Sequence, residues 1–244
     1  MSHVFFNFQG NVALSILTFL GTGFLLLVTS TATLFCLVTR RHRFARRFLL
    51  GGIGIAGIYL AALLVFSFAS HEQVLGPEDA KYFCEVDCHL AYSVVDVMKG
   101  GELGPPSGKV KPHGTFYVVK VKTWFDERTI SPRRGNGHLT PNPRAVWVTD
   151  DAGRRFGSSQ EGQRAVELSD DKSTPLTQPL RPGESYTTTL IFDLPSDAAN
   201  PRLLITESDS VTRLLIGHEN SFFHKKAYFR LATQEASAGA ALSN

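Results

Sequence analysis

The sequence predicts a membrane α-helical hairpin followed by an all-β domain built as a sandwich. Three observations carry this. Two long uncharged apolar runs open the chain, a cluster of arginines separates them, and the remainder alternates β-branched and aromatic runs with turn residues.

The chain has 244 residues and a formal net charge of +3, a length that allows one or two domains. No residue from Val12 to Val38, or from Phe48 to Ser70, is formally charged. Each run exceeds the roughly 20 residues a helix needs to cross about 30 Å of hydrocarbon. A spanning segment must satisfy its own backbone groups, so residues 12–38 and 48–70 are both expected to be helical. Between them, residues 39–47 hold Arg40, Arg41, Arg43, Arg46 and Arg47. Such a cluster can bind nucleic acid or anionic lipid. Flanked by apolar runs, it reads as a topology determinant, and no nucleic-acid partner is expected. Arginine is retained on the cytoplasmic side. The loop is therefore expected inside, with the N-terminus and everything after His71 outside. Met1–Asn11 contains neither Lys nor Arg and the basic cluster follows the first apolar run, which argues against a cleaved signal peptide. The short loop predicts antiparallel neighbours. Gly52 with Ala56 and Gly57 with Ala61 suit close helix approach, and Cys36 is expected to be inert in lipid.

Residues 71–89 read as a polar tether ending in a cysteine motif. The β domain is expected over 90–231, with a flexible tail at 232–244. Candidate strands are Leu90–Met98, Thr115–Phe125, Ala145–Thr149, Tyr186–Asp193, Arg202–Glu207 and Lys225–Leu231. Asp150-Asp151-Ala152-Gly153 and Arg181-Pro182-Gly183-Glu184 are turn sequences. Two sheets packed face to face would bury the apolar stripes of these strands.

Several segments resemble a known bacterial family. They are Tyr92–Val97, Gly114-Thr115-Phe116-Tyr117-Val118-Val119-Lys120-Val121, Val148–Phe156, and Leu180–Tyr186 leading into Leu190–Pro195. The family comprises extracytoplasmic immunoglobulin-like domains of unknown function, similar in fold to the mycobacterial secreted immunoprotective antigen. The resemblance covers roughly Leu90 to Leu231. It implies an immunoglobulin-like β-sandwich outside the cytoplasm, and it implies no reaction and no catalytic residues. The cysteine motif before the first strand departs from the family.

That motif, Phe83-Cys84-Glu85-Val86-Asp87-Cys88-His89, is the sharpest chemical feature. Three readings compete. An oxidising compartment favours a structural disulfide between Cys84 and Cys88, provided the chain turns there, since residues four apart in a strand lie about 13 Å apart. Covalent haem normally uses Cys-x-x-Cys-His, and this motif has one residue more. A copper or zinc site would use Cys84, Cys88 and His89, with His218 and His224 as further ligands if the first and last strands start at one end of the sandwich. The architecture is also similar to the electron-accepting subunit of haem-copper oxidases. That subunit carries Cys-x-x-x-Cys-x-x-x-His-x-x-Met late in its sandwich; here Cys84 and Cys88 fit, but Tyr92 and Val95 stand where His and Met are expected, and the motif precedes the sandwich instead of closing it.

His218 and His224 also read as loop residues bonding locally, and His113 and His138 as solvated. The segment Asp126–Arg144, with Arg128, Arg133, Arg134 and Arg144, reads as a solvated loop that could meet an acidic partner. No Gly-x-Ser-x-Gly elbow, phosphate-binding Gly-Lys-Ser/Thr loop or His-Glu-x-x-His helix occurs. The functional expectation is a non-enzymatic interaction or structural module of the bacterial inner membrane. It would touch the lipid bilayer and another envelope protein. The alternative is a metal or redox protein built on Cys84, Cys88 and His89.

Overall fold

The computed structural model describes residues 4–6, 12–83, 89–106, 108–168 and 173–231. The chain forms two compact bodies. One comprises Met1–Asn7, Glu72–Ser208 and Ala227–Asn244, the other Phe8–His71 and Asp209–Lys226.

The second body contains two 27-residue helices, α1 (Val12–Val38) and α2 (His42–Phe68), packed side by side. Both are long and apolar enough to cross a membrane. The expected loop 39–47 is shorter than its basic residues suggest. Arg40 takes a left-handed conformation (φ 54°), Arg40 N donates to Leu37 O at 3.1 Å, and Arg41 N donates to Cys36 O at 2.7 Å. This bond pair is a Schellman closure with Arg in the position usually held by Gly. It ends α1 within three residues. Arg43, Arg46 and Arg47 are good helix formers and continue as the first turns of α2. Gly52 faces α1, where a Cβ would meet Thr29 Oγ1 at 3.1 Å, whereas Gly57 faces open space. Only the first of the two expected small-residue contacts therefore forms.

The first body is a β-sandwich. One sheet has the order β1 (Val4–Phe6), β3 (Ala80–Phe83), β4 (Leu90–Gly100), β5 (Thr115–Phe125), β8 (Ser185–Leu194). The other has the order β2 (Gln73–Leu75), β10 (Ala227–Arg230), β9 (Arg202–Glu207), β6 (Arg144–Thr149), β7 (Arg155–Phe156). Between them lie Tyr92, Val94, Val119, Val121 and Phe192 of the first sheet and Val148, Leu203, Ile205 and Phe229 of the second, all buried. These residues alternate along their strands, which gives each sheet one apolar face. A bulge in β4 at Val95 shifts its register against β5. Helix α3 (Gln160–Glu167) covers the outer face of the first sheet through Val166, beside Phe116, Val118 and Ile191.

Both expected turns form. Asp150–Gly153 joins β6 to β7, with Gly153 N donating to Asp150 O at 3.0 Å. At Arg181–Glu184, Gly183 supplies φ +81° after Pro182, as a type II turn requires. The expected tether is not unstructured. Within 71–89, β2 pairs in parallel with β10 and β3 pairs antiparallel with β4. The strand that runs parallel to the last strand is therefore β2, not Leu90–Gly100. The tail 232–244 lies outside the described residues.

Candidate functional site

Cys84 and Cys88 lie outside the described residues. Their flanks are described, and Phe83 stands opposite Leu90 in antiparallel register. Around these flanks the sandwich concentrates its buried polar groups.

The first group is a hydrogen-bonded chain. Tyr82 Oη donates to Asp126 Oδ2 at 2.6 Å. Arg128 grips the same carboxylate with Nε on Oδ1 at 2.9 Å and Nη2 on Oδ2 at 3.0 Å, and its amide adds a third bond at 3.0 Å. The Arg128 fork and the Tyr82 hydroxyl outweigh burial and hold the Asp126 carboxyl down at about 2. Burial, then the neighbouring carboxylate, pushes the Tyr82 hydroxyl up to about 12. Asp126 N donates to His89 O at 2.8 Å. Thr129 Oγ1 donates to Asp126 O at 2.8 Å and lies 2.5 Å from His89 Nδ1. The hydroxyl has one proton to give, so Nδ1 carries its own and donates it. The imidazole is buried and stacks on Phe125, with ring centroids 5.6 Å apart.

The second group consists of buried cations. Lys81 is fully enclosed, and its ammonium donates to Ile205 O at 2.8 Å and Ala227 O at 3.2 Å. Those carbonyls belong to β9 and β10, which pair directly only at Leu203–Phe229 and Arg202–Arg230. Lys81 thus bridges two strands where their ladder opens. The buried Arg144 side chain lies over the Phe83 ring (4.2 Å to its centroid), with Nε 3.3 Å from Tyr92 Oη and Nη1 3.8 Å from Glu207. Cation–π contact and the carboxylate together compensate its burial. These groups hold strands together.

The segment Asp126–Arg144 is more ordered than a solvated loop. Ile130 and Leu139 pack on the core, Leu139 bridges to Leu180, and Arg134 lies over Phe125 while donating to Gly137 O at 2.7 Å. Two apolar anchors tie down a stretch whose charges read as solvated. His113 bonds Asp193 at 3.1 Å and His138 accepts from Arg181 at 3.1 Å.

The ligand set imagined for a metal is divided between the bodies. His89 belongs to the sandwich, whereas His218 and His224 belong to the helical body. His218 Nδ1 accepts from Asn220 N at 2.9 Å, and His224 Nδ1 lies 2.6 Å from Lys225 O. Burial holds the His224 imidazole below its usual value. Both follow the local-bonding reading. Among the described residues, no three His, Cys, Asp or Glu side chains converge as a metal site.

Sequence reasoning missed a groove of about 530 Å³ on the sandwich, lined by Lys99, Tyr117, Asp151, Arg202 and Arg230 among others. Its cations are far apart in sequence and only strand pairing assembles them. Arg202 stands directly opposite Arg230, and Glu72 and Asp151 lie against it as counter-charges.

No protein-family model matches the chain, and no curated protein matches it. Three solved structures are similar at low identity. A conserved hypothetical protein from Bacillus anthracis is 15% identical with TM-score 0.39, covering 51% of this chain and 89% of that one. The yjhA protein from Bacillus subtilis is 11% identical with TM-score 0.39, covering 64% and 98%. A secreted protein from Mycobacterium tuberculosis is 10% identical with TM-score 0.40, covering 66% and 99%.

Proposed function

We propose that this chain is a membrane-anchored module of the bacterial envelope, whose immunoglobulin-like sandwich serves binding or architecture and not catalysis. One observation carries the reading. The paired helices leave large apolar side chains uncovered along their length, with Val38 83% and Ile58 75% exposed. Water does not tolerate so large a continuous apolar surface, and lipid covers it at no cost. The arginines gather at the turn between the helices, which supports a cytoplasmic turn with the sandwich on the other side. The sandwich then faces an envelope partner. Its groove with Lys99, Arg202 and Arg230 is a concave surface suited to an acidic segment of that partner.

The anchor is tested by washing membranes that carry the chain in alkaline carbonate. The chain is expected to stay with the membrane pellet. Release into the supernatant would overturn the reading. Photo-crosslinkers placed at Val74 and Asn200, which also line the groove, then test the partner surface. An adduct that is lost when Lys99 and Arg230 are both replaced by Glu supports it, and an adduct that persists overturns it.

A further inference from the structure

The segment Asp209–Lys226 leaves the sandwich between β9 and β10 and belongs to the helical body. Part of it is inverted, although Asp209, Arg213 and Lys225 are exposed as in an ordinary loop. Thr212, His218, Glu219 and Ser221 are buried, while Val211, Leu214, Phe222 and Phe223 are exposed, from 40% for Leu214 to 68% for Phe223. A loop in water normally shows the opposite distribution.

The segment is held on the helices by bonds to their own side chains. Tyr59 Oη donates to Leu214 O at 2.5 Å, and Ser15 Oγ donates to Ile216 O at 3.0 Å. Between them, Leu215 O accepts from His218 N at 3.2 Å and from Ser221 Oγ. Three consecutive carbonyls are thus satisfied without water, as irregular backbone at the edge of hydrocarbon requires. Lys225 N donates to Ser70 Oγ at 2.8 Å, and Phe223 stacks on Phe68 with centroids 5.6 Å apart. Phe223 holds φ at 64°, a strained conformation for a bulky residue, and so keeps its ring at the end of α2.

The depth of the segment follows from helix rise. Ser15 stands about 35 Å from Val38 along α1, and Tyr59 about 25 Å from His42 along α2. A hydrocarbon layer of about 30 Å that begins at the basic turn ends between these two levels. The Tyr59 contact then lies about 5 Å inside that edge and the Ser15 contact about 5 Å outside it, so the segment straddles the boundary at which interfacial elements bury their apolar face.

We infer that Asp209–Lys226 is a lipid-facing foot, which sets Val211, Leu214, Phe222 and Phe223 into the outer-leaflet boundary beside the helices. This rests on the membrane-anchor reading. The foot gives the chain a third membrane contact, on the extracytoplasmic side only. The occupant of its apolar face is the upper acyl chain of a phospholipid.

The test uses the full chain reconstituted in phosphatidylcholine vesicles, with and without bromine on the acyl carbons near the headgroup. Phe223→Trp adds one emitter to the two native tryptophans, both of which lie in the sandwich. Its emission, taken as the difference from wild type, is expected to be blue-shifted and mostly lost in brominated lipid. Phe222→Trp repeats the test without disturbing the Phe68 stack. Leu20→Trp on the exposed face of α1 reports the anchor itself. If Leu20→Trp is quenched while both loop variants emit as in water, the foot is overturned and the anchor stands. If Leu20→Trp also escapes quenching, both readings fall.

Discussion

Replacing Asp126 by Asn removes the centre of the polar network beside β3 and β4. The carboxyl is held at about 2 against an ordinary value of 3.8. A displacement of nearly two units corresponds to about 2.5 kcal/mol of preference for the ionised form. Asp126 is buried, but the Arg128 side chain that grips it is 80% exposed, so solvent screening reduces the contribution to about 1–2 kcal/mol. The sign follows from the direction of the shift. The folded-state value lies below the unfolded one, so the stabilisation is complete above 3.8 and is lost as pH falls through about 2. Tyr82 has the opposite sense. Raised from 10.0 to about 12, it contributes fully below 10.0 and loses that contribution as pH rises through about 12. At neutral pH both contributions are complete. Both tryptophans, Trp124 and Trp147, lie in the sandwich and the helices have none. Fluorescence-detected urea unfolding of the full chain in detergent therefore reports the sandwich alone. Asp126→Asn is expected to lose about 1–2 kcal/mol at neutral pH, with the deficit shrinking in acid. A variant as stable as wild type, or a deficit unchanged by acid, would refute the reasoning.

Further outcomes follow from other contacts. Lys81→Met keeps the side-chain length but leaves Ile205 O and Ala227 O without the ammonium, and is expected to cost about 1–3 kcal/mol in the same assay; an unchanged midpoint would remove Lys81 as the bridge between β9 and β10. Gly162→Ala would place a Cβ 2.5 Å from Ile191 Cγ2, and the overpacking is expected to cost about 1–3 kcal/mol; thermal unfolding of the variant at the wild-type temperature would contradict the placement of α3. Thiol titration of unfolded, unreduced protein is expected to find only Cys36 reactive, since we expect Cys84 and Cys88 to be bonded to one another. Reaction at all three cysteines would exclude the disulfide.

The sequence was most legible where hydrophobic pattern and length decide structure. Strands Thr115–Phe125 and Arg202–Glu207 form over the expected residues, because each has a buried apolar stripe along its length. The short strands β2 and β3 were not legible. Gln73–Leu75 is a three-residue strand placed by backbone pairing with β10. Lys81 makes β3 look polar, yet all four of its residues are buried. Helix α3 has only Gly162, Ala165 and Val166 buried, too little to stand out in a polar stretch. The hairpin turn depended on a left-handed Arg40, a conformation for which the sequence offers no glycine. At the site, Asp126 ahead of Arg128 is a visible turn signal. Its links to Tyr82 and His89 depend on strand register, which no single segment reveals. His218 and His224 suggested metal by residue type and by the expectation that Leu90–Met98 and the last strand start at one end, whereas the last strand runs parallel to β2. Exposed phenylalanines beside them, Phe222 and Phe223, were the more informative neighbours.

The central claim, an anchored sandwich outside the cytoplasm, is tested most directly by protease treatment of intact spheroplasts expressing the chain with an epitope after Asn244. The account predicts that the epitope and the sandwich are digested without lysis, while the arginine turn between α1 and α2 stays protected. A sandwich cleaved only after lysis would place it inside and contradict the account.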